Sequence, residues 1–116
     1  MKKNVLFFFF VILFPLVAYS SGNDAVANPA AVVEEGDVRF TVLTPRVIRM
    51  EWDSLHRFTD ERSFIVINRN LPVPEFKKII RGGKLTIRTD ELELTYKLNT
   101  GKFSKENLEI KYLNQF

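Results

Sequence analysis

The residues with the widest chemical repertoire are few and scattered along this sequence. His56, in Asp53-Ser54-Leu55-His56-Arg57, is the single histidine among 116 residues, and cysteine is absent. A lone imidazole has no second nitrogen ligand with which to share a metal and no thiol to activate, so a surface role is the simpler reading. Glu91 and Glu93 lie two apart and would project from one face of a strand, a spacing that could bring two carboxylates together for acid and base work. Leu92 and Leu94 claim the opposite, buried side, so the pair reads most simply as a solvated face. No residue stands out as catalytic, cofactor-binding or metal-ligating.

Trp52, Phe58 and Tyr96 are the candidates for ligand contact, because aromatic faces stack on sugar rings and a polar edge can hydrogen-bond to them. Trp52 is the substrate-binding candidate among them, although it alternates in phase with Ile48 and Met50 and so also suits a core position. Asp60-Glu61-Arg62 suggests a local surface ion pair. Lys77 and Lys78 after Phe76 are too few for a nucleic-acid surface, and Gly82-Gly83 has no helix behind it to make a phosphate cradle.

The N-terminus predicts export. Met1-Lys2-Lys3-Asn4 is a basic head, Val5 to Val17 is almost wholly apolar, and Ala18-Tyr19-Ser20 places small residues before a cleavage point after Ser20. The apolar run is interrupted by Pro15 and falls short of the about 20 residues needed to cross ~30 Å of hydrocarbon, so residues 1–20 read as a signal peptide and no stable membrane anchor is expected. Without cysteine there is no lipoprotein anchor, disulfide or thiolate metal site. The expected product is secreted or periplasmic.

Removal of Lys2 and Lys3 takes the 17 basic residues to 15 against 14 acidic ones, a net charge of about +1. Such a chain has no long-range field to gather polyanions, and nucleic acid is not an expected partner. Residues 21–35, SGNDAVANPAAVVEE, are small and polar without sustained periodicity and read as a flexible spacer. Residues 36–116 remain for one domain of about 80 residues, which is marginal in the area it can bury.

Periodicity in that domain is of period two. Val38, Phe40 and Val42 alternate with polar residues, as do Ile48, Met50 and Trp52 after a turn at Pro45. Ser63 to Asn68 (SFIVIN) fits a strand covered on both faces, and Leu71-Pro72-Val73-Pro74 an extended connector. Phe76 to Arg81 and Lys84 to Arg88 flank Gly82-Gly83 as a tight hairpin. The buried positions Leu85 and Ile87 are odd-numbered whereas Leu92, Leu94 and Tyr96 are even-numbered, so a turn or bulge near Thr89-Asp90 must reset the register. Asn99-Thr100-Gly101 marks another turn, and Leu108, Ile110 and Tyr112 a last alternating strand. Six or seven strands with frequent turns predict an all-β antiparallel sandwich.

The wording of the sequence is more specific than its chemistry. Val38 to Trp52 (VRFTVLTPRVIRMEW) resembles the opening hairpin of the N-terminal domain of glycoside hydrolase family 31, the α-glucosidase and α-xylosidase family. Phe58 to Arg69 (FTDERSFIVINR), Leu71 to Phe76 (LPVPEF), Leu85 to Tyr96 (LTIRTDELELTY) and Gly101 to Ile110 (GKFSKENLEI) resemble successive segments of the same domain, in order. The resemblance implies a galactose-mutarotase-like β-sandwich over 36–116 that packs against a catalytic (β/α)8 barrel. It further implies that the chain is incomplete at its C-terminus, a fragment truncated before any catalytic barrel. The family's two catalytic aspartates belong to the barrel, so no catalytic residue transfers to this chain, and no cofactor is implied. The expected partner is that barrel. In the alternative reading, a stand-alone carbohydrate-binding module, it is an oligosaccharide held by Trp52.

Overall fold

The computed structural model describes residues 25–62 and 68–113, and the signal peptide expected at 1–20 lies outside them. The described residues form two antiparallel sheets. The first has three strands in the order β1-β2-β3: β1 Val32–Glu35, β2 Val38–Thr44 and β3 Val47–Trp52. The second is a four-stranded meander, β4 Lys77–Arg81, β5 Lys84–Arg88, β6 Leu92–Lys97 and β7 Leu108–Tyr112. The only helical element among the described residues is one 3-10 turn, Pro29–Ala31, where the Asn28 side chain accepts from Ala30 N at 3.0 Å and proline occupies a position that needs no N–H.

The expected spacer is corrected over its last part. Val32–Glu35 pair with β2, Val33 opposite Phe40 and Glu35 opposite Val38, and Val33 is buried. Four residues are too few to display a period, yet Gly36, with φ of 56°, turns them back onto β2. The hairpin about Pro45 forms as expected, with Val38 opposite Trp52, Phe40 opposite Met50 and Val42 opposite Ile48. A register shift between Val42 and Thr44 leaves Leu43 as an extra, buried residue just before the turn.

In the second sheet, Gly82 and Gly83 both have positive φ, 57° and 72°, the backbone of the tight turn that matches strand twist. The change of parity between β5 and β6 is resolved by a turn. Arg88 pairs with Glu93 and Ile87 with Leu94, so a two-residue loop at Asp90-Glu91 sets odd positions opposite even ones. Thr89 closes that loop: its N–H donates to Leu92 O at 2.9 Å, and its hydroxyl accepts from Glu91 N and Leu92 N. Residues 71–74 lie in no strand, in keeping with their two prolines. The strand expected at Ser63 to Asn68 falls on residues 63–67, outside those described.

The two sheets share one core. Val33, Val38, Phe40 and Val42 from the first meet Leu85, Ile87, Leu92, Leu94 and Tyr96 from the second, which makes the fold an antiparallel β-sandwich. An aromatic triad sits at its centre: Phe40 to Tyr96 at 6.0 Å, Phe40 to Phe103 at 5.7 Å and Tyr96 to Phe103 at 5.3 Å between ring centroids. The outer strands are less well covered than their alternation suggests. Ile110 and Tyr112 on β7 point to the core side but are 43% and 56% exposed, and Ile80 on β4 is 47% exposed.

Candidate functional site

The aromatic candidates do not form one surface. Tyr96 is fully buried in the core, and its hydroxyl donates to Gly101 O at 2.7 Å. Trp52 is half-buried on the same side of its sheet as Val38, packs against the core and carries the Lys102 ammonium over its ring at 5.7 Å. Phe58 lies across the opposite side, stacked with His56 at 6.3 Å and beneath the Arg39 guanidinium at 5.2 Å. A sugar platform needs its rings on one open face, and here the sheet itself separates Trp52 from Phe58.

The carboxylate candidates are likewise parted. Glu91 accepts from Arg46 Nε at 2.9 Å, whereas Glu93 pairs with Arg88 at 3.3 Å. His56 meets Asp37 Oδ1 at 2.9 Å. Among the described residues no group of three or more His, Cys, Asp or Glu side chains is placed to hold a metal ion, and no helix is long and apolar enough to cross a membrane.

A charged cluster that the sequence did not reveal covers the outer face of the first sheet. Arg39 and Glu51 are cross-strand partners, and β3 brings Arg49 alongside. Glu51 Oε2 accepts from Arg39 Nε at 2.6 Å and pairs with Arg49 at 2.5 Å, while Oε1 accepts from Arg39 NH2 and from Thr59 N, each at 3.1 Å. Arg39 reaches on to Asp60 Oδ1 and Thr59 O, both at 2.9 Å. Arg69, only 2% exposed, donates to Thr59 O at 2.7 Å and Glu61 O at 2.6 Å. The segment after β3 is thereby laced across the sheet. Thr41, on the outward phase of β2, is buried as well.

A cleft of about 460 Å³ remains beside the cluster, with Arg39, Arg49, Asp60 and Arg69 in its wall. The electrostatics of the cluster follow from its pairing. Burial alone would push the Glu51 carboxyl up, but hydrogen bonds and charge from Arg39 and Arg49 outweigh it and hold that carboxyl below its ordinary value. A general acid needs the opposite shift. Burial and the neighbouring charges of Arg49 and Arg39 lower the Arg69 guanidinium, while Glu51 and Asp60 raise Arg39 against its burial.

No family model matches the chain, and no curated protein matches it.

Proposed function

We propose that this chain is the N-terminal β-sandwich of a secreted family 31 α-glycosidase, a domain that braces a catalytic (β/α)8 barrel without cleaving glycosidic bonds itself. The observation that carries this reading is the run of five sequence blocks between Val38 and Ile110, each resembling a segment of that domain and all in the same order. The two-sheet architecture supports it, since the blocks Val38 to Trp52 and Leu85 to Tyr96 fall on hairpins of the two sheets. Among the described residues the carboxylates singled out make no acid and base pair, in keeping with the non-catalytic role: Arg39 and Arg49 hold the Glu51 carboxyl below its ordinary value, and Glu91 and Glu93 face different arginines.

Assaying the purified chain with aryl α-glucosides and α-xylosides tests this role. No release of the aryl alcohol above the uncatalysed rate is expected. Hydrolysis that survives repeated purification and is lost on one substitution within residues 25–113 would overturn the proposal.

A further inference from the structure

The outer face of the second sheet concentrates positive charge beyond what the net charge of +3 suggests. Its three cross-strand rows follow from the register. Arg81, Lys84 and Lys97 form one row, Ile79, Thr86, Thr95 and Glu109 the next, and Lys77, Arg88, Glu93 and Lys111 the third. Six basic side chains thus share a face with two acidic ones. Both acids are already engaged, Glu93 with Arg88 at 3.3 Å and Glu109 with Lys111 at 3.6 Å.

The first row is the anomaly. Arg81 stands directly opposite Lys84, and Lys84 directly opposite Lys97, all three exposed and none in an ion pair among the described residues. Like charges set opposite each other weaken a sheet, so the row carries a cost that an external anion would relieve. A concavity of about 430 Å³ opens beside it, lined by Lys84, Thr95, Lys97 and Lys105 together with Glu106 and Glu109.

We propose that this row and its concavity bind an acidic polysaccharide of the polyuronate type, with one carboxylate on each sugar. Charges along the row repeat with the strand spacing of about 4.8 Å, close to the length of one pyranose unit. The hydroxyls of Thr86 and Thr95 in the adjacent row can donate to and accept from sugar hydroxyls. No aromatic side chain lies in the three rows, so bases would find no stacking surface and a single-stranded nucleic acid is disfavoured. Because the full sequence carries a net charge of only +3, recognition is chiefly a contact effect that salt weakens. The inference is independent of the family reading.

Calorimetric titration of the purified full chain with polygalacturonate at low salt, alongside neutral dextran and a single-stranded DNA oligonucleotide, tests it. Binding is expected for polygalacturonate alone. The triple variant Arg81→Gln, Lys84→Gln, Lys97→Gln should bind at least about tenfold more weakly, and without ligand it should melt no lower than wild type. Should the triple variant fail to fold, Lys84→Gln alone, at the centre of the row, should still weaken binding several-fold. Arg57→Gln, on a loop off this face, should leave it unchanged. The proposal is overturned by absent binding in the wild type, by equal affinities of wild type and the Lys84 variant, or by oligonucleotide binding as tight as that of polygalacturonate.

Discussion

Thr89 and Pro45 tie the two sheets together at one end: the Thr89 hydroxyl donates to the Pro45 carbonyl at 2.6 Å across 44 positions of sequence. Thr89 is 4% exposed, and the same hydroxyl accepts from Glu91 N and Leu92 N. One side chain therefore closes the β5–β6 turn and fastens it to the β2–β3 turn. Thr89→Val keeps the shape and deletes both functions, leaving buried polar groups unpaired at a cost of about 1–3 kcal/mol. Denaturant melts should show that loss and a substantial recovery in Thr89→Ser.

Phe40 touches both other members of the aromatic triad and is fully buried. Its truncation to alanine should cost about 3–5 kcal/mol. Against a total stability of about 5–15 kcal/mol for a domain, that is enough to leave much of the protein unfolded at room temperature if it lies at the low end. Loss of the near-ultraviolet circular dichroism signal in Phe40→Ala would report it; a variant melting within a few degrees of wild type would show the triad to be peripheral.

The sandwich was legible wherever alternation coincided with a turn signal. Val38 to Trp52 and Lys84 to Tyr96 follow their periods, and the parity change between Ile87 and Leu92 called for a turn or bulge near Thr89-Asp90, where the structure has a two-residue loop at Asp90-Glu91. Strand β1 was not legible, because VVEE is too short to show a period and is recruited by pairing with β2. Exposure at Ile110 and Tyr112 was equally hidden, since alternation states which way a side chain points and not what lies over it. The Arg39–Glu51 pair was missed for a related reason. The two residues are 12 apart and meet only through the β2–β3 register, while Asp60 and Arg69 join the cluster from outside the paired strands.

At the β4–β5 turn, Gly83 holds φ of 72° with open space where a Cβ would stand. The penalty for Gly83→Ala is thus purely backbone, about 1 kcal/mol. Gly82→Asn at φ of 57° should cost less, because asparagine tolerates that region. Paired thermal melts of the two variants separate these outcomes, and equal stability would contradict the turn geometry.

Acid stability should follow Glu51. Its carboxyl is held below the ordinary value of 4.5 by Arg39 and Arg49 despite burial. The stabilisation is therefore complete above that value and is lost as the pH falls through the lower, folded one. Glu51→Gln should lose about 1.5–3 kcal/mol at neutral pH and flatten the decline below pH 4.5. Urea melts at pH 7 and at stepped acidic pH measure both. An acid limb unchanged in the variant would assign the decline to other carboxylates.

The proposal that this sandwich braces a glycosidase is tested most directly by sequencing the DNA that follows the codon for Phe116. The account predicts coding sequence for a family 31 (β/α)8 barrel, in frame, one frameshift away or as the adjoining gene. A neighbourhood with no such barrel in any frame would contradict it.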